Sequence, residues 1–223
     1  MTRIFAFGSE EFAIAGDAAL FWPARGALLV SDLHLEKASS YAVHSGQMLP
    51  PYDSLATLHE LAALIGRYDV REVYCLGDNF HDAGGEARLS GEACDLLGHL
   101  TGSTRWHWIT GNHDREVSGR WGGTAHDELQ VGRIMLRHEA DAGCSAYEIS
   151  GHFHPKYRFH LRGRNVSRRC FVMSESKIIM PAFGALTGGM DAAHEAIVRA
   201  CGQVALTAIV PTDGKFARIP LAA

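Results

Sequence analysis

Five short motifs rich in His, Asp and Asn recur along the chain, and each follows an apolar run of strand length. Ala27-Leu28-Leu29-Val30 leads into Asp32-Leu33-His34, Val73-Tyr74-Cys75-Leu76 into Gly77-Asp78-Asn79-Phe80-His81-Asp82, and Trp106-His107-Trp108-Ile109 into Gly111-Asn112-His113-Asp114. Ile134-Met135-Leu136 precedes His138-Glu139, and Tyr147-Glu148-Ile149 precedes Gly151-His152-Phe153-His154. Ligand-type side chains on separate strand ends converge only if those strands lie side by side, and in open α/β sheets sites form in the crevice outside the carboxyl ends. The pattern predicts one dinuclear metal site at one edge of a sheet.

The segments around these motifs have their own periodicity. Ile4-Phe5-Ala6-Phe7, Phe12-Ala13-Ile14 and Ala19-Leu20-Phe21-Trp22 read as short strands, the last two joined through Gly16-Asp17 as a tight hairpin that extends a sheet edge. From a cap at Asp53 or Ser54, residues Leu55, Leu58, Leu61, Ala62 and Ile65 follow helical spacing to a closing Gly66. Leu89, Ala93, Leu96, Leu97 and Leu100 predict a second helix over 86–100, ended by Thr101-Gly102. Strand, helix, strand, helix, strand is the α/β signature. Beyond His154 the runs 157–161, 170–173, 177–180 and 205–210 read as short strands between Gly, Asn or Ser turns, which predicts a second, antiparallel sheet. The expected architecture is α/β, a two-sheet β-sandwich flanked by helices, in one domain over residues 1–223.

With 223 residues, 47% of them hydrophobic, the chain can bury a substantial core. Its 21 Lys and Arg against 25 Asp and Glu leave a net charge of −4, so any polyanion must be caught locally rather than by a whole-molecule field. No stretch nears the ~20 apolar residues of a membrane span, and the start of the chain is too short an apolar run for a signal peptide. A cytoplasmic protein without a membrane partner is expected. Cys75, Cys94, Cys144, Cys170 and Cys201 form no close pair, which fits reduced thiols used as small apolar fillers. His59, His99, His107, His126, His160 and His194 lack a partner motif and read as surface or core histidines.

On an extended backbone side chains alternate with period two, so Asp32 and His34 should point the same way and bind one ion. Asp78, directly after a Gly at a strand end, can bridge two cations with its two oxygens, at the ~3.5–4 Å separation of two-metal phosphoryl-transfer sites. Asn112 offers an amide oxygen, and His138, His152 and His154 offer imidazole nitrogens. A mixed O/N set without thiolate favours Mn, Fe or Zn over Mg or Ca.

The ordered set Asp-x-His, Gly-Asp, Gly-Asn-His-Asp, His, Gly-His-x-His over residues 32–154 resembles the calcineurin-like metallophosphoesterase superfamily. That resemblance implies one metal held by Asp32, His34, Asp78 and His154, and a second by Asp78, Asn112, His138 and His152. It implies water activated by the metals as nucleophile, and leaves His113 free to protonate the leaving oxygen or stabilise phosphoryl charge. A narrower likeness runs through Leu20-Phe21-Trp22-Pro23, Ser31 to Ala38, Gly111 to Arg115, Gly151 to Pro155, Arg168-Arg169-Cys170-Phe171 and Pro181 to Gly189. These segments are similar to the bacterial ligase-associated DNA-damage-response metallophosphoesterases, described as endonucleases, from which the chain departs at Glu36 (Gly expected) and Ala140 (Pro expected). Gly77 to Asp82 is also similar to the second motif of double-strand-break repair nucleases, which makes His81 a further catalytic candidate.

The segment from Lys156 to Arg169 holds Lys156, Arg158, Arg162, Arg164, Arg168 and Arg169 and no acid, the local patch an acidic protein needs for phosphates. Arg162, Arg164, Arg168 and Arg169 are the substrate-binding candidates. The expected activity is a dinuclear, Mn-dependent phosphodiesterase acting on single-stranded DNA in repair. The resemblance implies functional association with DNA ligase and helicase repair proteins, and a homodimer is the expected assembly if the chain associates with itself. The rivals are a phosphodiesterase for a small substrate, such as a cyclic nucleotide or a nucleotide-linked lipid precursor, and a non-enzymatic scaffold with a degraded site. Every ligand position being filled argues against the scaffold.

Overall fold

Residues on a strand alternate between two faces, and where both faces are apolar a layer must cover each. The computed structural model, which describes residues 4–115, 119–212 and 215–221, meets that demand with two sheets packed face to face and helices outside them. The chain runs β1 (Ile4–Phe7), β2 (Glu10–Ala15), β3 (Ala19–Trp22), β4 (Ala27–Val30), α1 (Lys37–Ser45), α2 (Asp53–Tyr68), β5 (Glu72–Leu76), α3 (Gly85–Arg88), α4 (Gly91–Ser103), β6 (Arg105–Ile109) and β7 (Thr124–His126). It continues through β8 (Glu128–Val131), β9 (Ile134–Arg137), β10 (Tyr147–Ser150), β11 (Lys156–Leu161), β12 (Arg164–Arg169), β13 (Phe171–Met173), β14 (Lys177–Ile179), α5 (Glu195–Ala200), β15 (Thr207–Thr212) and β16 (Lys215–Pro220).

The first sheet has the order β1-β2-β3-β4-β5-β6-β7, antiparallel up to β4 and parallel from β4 to β7. The second has the order β16-β15-β13-β14-β10-β9-β8. Alternation sorts its contacts. Ala27 and Leu29 of β4 and Tyr74 and Leu76 of β5 face the second sheet, where they meet Ile134, Leu136, Ile149, Ile178 and Ile209. Leu28, Val30, Val73 and Cys75 face outward and are covered by Leu58, Leu61 and Leu64 of α2 and by Leu97 and Leu100 of α4. On the far side, Ile197 and Cys201 at α5 cover Cys170, Val172, Ile179 and Ala208. The five cysteines are all free thiols.

Several expectations change here. The second sheet is mixed rather than antiparallel, because β14, β10 and β9 run parallel, and the strand expected over 157–161, β11, pairs outside it with β12 in a separate ribbon. The helix expected over 86–100 is two helices: Leu89 turns extended (φ −61, ψ 122) and Gly91 sits at φ 57, which breaks the hydrogen-bond ladder between α3 and α4. α2 runs through Gly66 and closes at Asp69 in the left-handed region (φ 50). Asp53 and Ser54 are turned toward α1, where they accept from the N–H groups of Ala38 and Glu36.

Candidate metal centre

β4, β5 and β6 are parallel neighbours, so Asp32, Asp78 and Asn112 leave three adjacent strands at the same end. His138 and His152 follow β9 and β10, a parallel pair in the opposing sheet. The donors therefore meet between two sheets, not along the edge of one as the motif pattern predicts; strand order within a sheet is local, whereas the facing of two sheets is set by packing. The turns that carry them are strained. Asp32 (φ 53), His34 (φ 44), Asp78 (φ 48), His152 (φ 71) and His154 (φ 48) all lie in the left-handed region, each at a cost of about 1–3 kcal/mol. Asp32 and His34 converge through this geometry and not through the alternation of an extended strand.

Two donor sets result. In the first, His154 Nε2 lies 3.1 Å from Asp32 Oδ1 and 3.3 Å from His34 Nε2, which is 3.8 Å from Asp78 Oδ2. In the second, His138 Nε2 lies 2.9 Å from Asn112 Oδ1, 3.1 Å from His152 Nδ1 and 3.5 Å from Asp78 Oδ1. The two oxygens of Asp78 thus face different sets, the arrangement a bridging carboxylate needs. Donor atoms roughly 3–3.5 Å apart are spaced as the edges of a polyhedron with metal–ligand bonds of about 2.0–2.2 Å. The donor atoms of Asp32, His34 and His154, within the first set, lie within 4.8 Å of one another, as do those of Asp32, Asp78 and His138, which span the two sets.

The surroundings fit cations. Asp32 and Asp78 are buried, and among the described residues no Lys or Arg pairs with either. Burial alone would raise Asp32, but the hydrogen bond and charge of His154, with His138 and His34 beside it, hold its carboxyl below the usual range. Burial, with the neighbouring His154 and Lys37 charges, pushes His34 down to about 2, so the imidazole is neutral and able to bind a metal. His138 Nδ1 donates to the Leu76 carbonyl at 3.1 Å, which bares Nε2 toward the site. Backbone approach is equally specific: a Cβ on Gly111 would collide with Asp78 and one on Gly151 with Asp32, so these positions admit no side chain.

His113 stands beside both sets. Its Nδ1 donates to the His81 carbonyl at 2.7 Å, its backbone N–H donates to Asp78 Oδ1 at 2.9 Å, and its Nε2 is 3.9 Å from Asp78 Oδ2. His81 stacks on His113 (centroids 5.1 Å apart, 22°) and its Nδ1 lies 3.2 Å from His34 Nδ1. Burial and the Lys37 and His113 charges lower His81 to about 4. Of the four arginine candidates, Arg162, Arg164 and Arg168 are exposed on the β11–β12 ribbon, Arg162 in its two-residue turn with Gly163. Arg169 is half-buried at the base and donates to the Gly184 carbonyl at 2.7 Å.

Three features were not singled out from sequence. Lys37 sits near enough to His34 and His81 to depress both, and among the described residues its ammonium has no hydrogen-bond or ion-pair partner. The cation three residues past His34 was the available signal. Asp114 accepts from the N–H groups of Asn79, Phe80 and Gly111 and so ties two motif loops together. His107 and His126, read as unrelated, face each other at 3.2 Å, with His107 also 3.0 Å from Glu72; only the β6–β7 register brings them together.

Residues 27–166 match the model of the calcineurin-like phosphoesterase family. The chain belongs to that family. It is accordingly a metal-dependent phosphoesterase, a hydrolase. The nuclease MPE of Pseudomonas putida is similar over 99% of this chain and 100% of its own, with 28% identity and a TM-score of 0.74. A phosphoesterase of E. coli, YfcE, is similar over 82% of this chain and 86% of its own at 13% identity (TM-score 0.41), and zinc-complexed Vps29 of Entamoeba histolytica over 87% and 97% at 16% (TM-score 0.34). No curated protein matches the chain. No helix among the described residues is long and apolar enough to cross a membrane.

Proposed function

We propose that this phosphoesterase is a Mn-dependent nuclease that hydrolyses phosphodiester bonds of single-stranded DNA in a repair setting. One observation carries the reading: the ribbon bearing Lys156, Arg158, Arg162, Arg164, Arg168 and Arg169 begins two residues after His154, so a phosphate-binding arm grows directly out of the metal centre. The full-length likeness to a nuclease supports it.

In this reading Asp32, His34, Asp78 and His154 hold one ion and Asp78, Asn112, His138 and His152 the other. Two divalent ions supply Lewis acidity and bring the pKa of water toward neutrality. The mixed O/N donors suit Mn, with Fe and Zn as the other candidates. His113, fixed through Nδ1 by the His81 carbonyl, presents Nε2 toward the centre; in its cationic form that nitrogen delivers a proton to the leaving oxygen or stabilises charge on the phosphoryl oxygens. His81 orients both His34 and His113. Lys37 adds a fixed positive charge beside them.

The deciding experiment offers the purified protein, with Mn, circular single-stranded DNA, cyclic dinucleotides and an aryl phosphodiester. Cleavage of the circle at an efficiency above that for the cyclic dinucleotides is expected. Turnover of cyclic dinucleotides with the circle left intact would assign the site to a small substrate.

A further inference from the structure

The β11–β12 ribbon stands apart from both sheets, and its faces differ. Directly opposed residues of an antiparallel pair share a face. The pairs Lys156–Arg169, Arg158–Ser167 and His160–Asn165 therefore make one face cationic and rich in hydrogen-bonding groups, while Tyr157–Arg168, Phe159–Val166 and Leu161–Arg164 make the other largely apolar. The cationic face lines a cleft of about 680 Å³, and Phe159, Val166, Gly188 and Gly189 complete its wall. That volume lies within the roughly 300–1,000 Å³ of ordinary ligand sites. A volume of that size suits a nucleotide or two of one strand.

The cleft opens where the metal centre ends. The Met190 N–H donates to the carbonyl of His154, and the Lys156 N–H donates to the carbonyl of Met190, so ligand, ribbon and glycine turn are stitched together. Lys156 Nζ donates to the Thr187 carbonyl at 3.2 Å, and among the described residues no carboxylate pairs with it. Arg158 reaches the Gly189 carbonyl at 3.3 Å and stands 4.0 Å from Asp191, its side chain 58% exposed. Three cations crowded on one face, Lys156, Arg158 and Arg169, favour an anion between them.

The geometry points to a nucleotide subsite in this cleft, in which Lys156 and Arg158 hold the backbone phosphate next to the scissile one while Asn165, Ser167 and His160 face sugar and base. This rests on the nuclease reading above. The ligand is a short single strand, and the residues nearest the chemistry are these two cations, not the arginines of the turn, which lie roughly 10–20 Å further along the ribbon at ~3.3 Å per residue.

The test compares Lys156→Gln/Arg158→Gln with Arg162→Gln/Arg164→Gln, two variants that remove equal charge. The readout is the ratio of kcat/KM for a tetranucleotide to kcat/KM for an aryl phosphodiester. For the first variant the ratio should fall about tenfold or more, the equivalent of one charge-assisted hydrogen bond, through KM; for the second it should fall much less. Anisotropy of a labelled oligonucleotide on the metal-stripped proteins gives a readout independent of turnover, and its salt slope should drop by about 0.7 for each phosphate that is no longer neutralised. If wild type cuts the tetranucleotide and both variants are weakened by the same factor, a diffuse field replaces the subsite; if neither is weakened, the cleft is not used. In both cases the nuclease reading stands. Failure of the wild type to cut any oligonucleotide sinks that reading and the subsite with it.

Discussion

At the scale of single residues, the centre turns on which side chain touches both donor sets. Asp78 is that residue, since its Oδ1 faces His138 and its Oδ2 faces His34. Asp78→Asn keeps one oxygen but gives up the charge and the second oxygen, so hydrolysis should be abolished and metal stoichiometry should fall from two. Metal analysis after gel filtration checks this, and two tightly bound ions with near-normal turnover would overturn the site. His113 touches the ligands without belonging to either set, and the prediction differs accordingly: His113→Ala should retain both metals and lose roughly 10²–10⁴-fold in turnover. The loss should be much smaller for a nitrophenolate leaving group than for an alkoxide, because the former departs without a proton. Equal losses would leave His113 a charge stabiliser only. Glu36 is instructive in the same way. Its sequence position is one where the likeness to the ligase-associated phosphoesterases leads one to expect Gly, and it sits at φ 64, where Gly is free of strain. Hydrogen bonds from Ser39 and Ser54 to its carboxylate hold it there.

At the scale of elements, the loops after β5 and β6 are held together by a buried carboxylate. Asp114 is 4% exposed and takes three backbone N–H groups, two from the loop of Asp78 and one from Gly111. Asp114→Ala would orphan buried donors at about 1–3 kcal/mol for each strongly buried group. A urea midpoint should show a loss of about 3 kcal/mol or more, with weaker metal binding, while Asp114→Asn, which keeps an acceptor, should lose less. A loss under about 1 kcal/mol would mean the loops are held by other interactions. These loops also mark the limit of what sequence patterning shows. The apolar runs feeding the motifs were readable because β4 is buried on both faces, β5 is buried beyond Glu72, and Trp106, Trp108 and Ile109 are buried in β6. α1 was not, because Lys37–Ser45 is short, rich in serine and enters from the αL residue Glu36 instead of an ordinary cap. The strands β7, β8, β12 and β16 were missed because each lies at a sheet edge or in the ribbon, where exposed polar residues leave little apolar signal.

At the scale of the whole molecule, the ligand residues were legible as types and spacings, while their meeting point was not: β4–β6 and β9–β10 belong to different sheets, and only the packing of Leu29, Leu76 and Ile109 against Leu136 and Ile149 brings the two groups together. That packing buries imidazoles alongside carboxylates in a centre whose charges are balanced by cations, which couples folding to metal and to pH. His34 is 4% exposed and its pKa falls from the ordinary 6.5 to about 2. In metal-free protein the unfolded chain takes up a proton on this ring below pH 6.5 while the native state does not. The contribution of His34 is therefore fully present above pH 6.5 and is lost as pH falls from there toward 2, at up to about 1.4 kcal/mol per pH unit. His81, lowered to about 4, adds a loss in the same direction between pH 6.5 and 4. Urea unfolding of metal-stripped protein at pH 7.5, 6.0 and 5.0 should show a stability that declines below pH 6.5, and His34→Asn should show a shallower decline because its side chain cannot titrate. Adding Mn at about a hundredfold over its Kd should raise stability by about 2.7 kcal/mol at pH 7.5 and by less at pH 5.0, where protons compete for the same nitrogens. A metal-free protein equally stable at pH 5.0 and 7.5, or a His34→Asn variant with the wild-type slope, would show that these imidazoles are not held neutral by the fold.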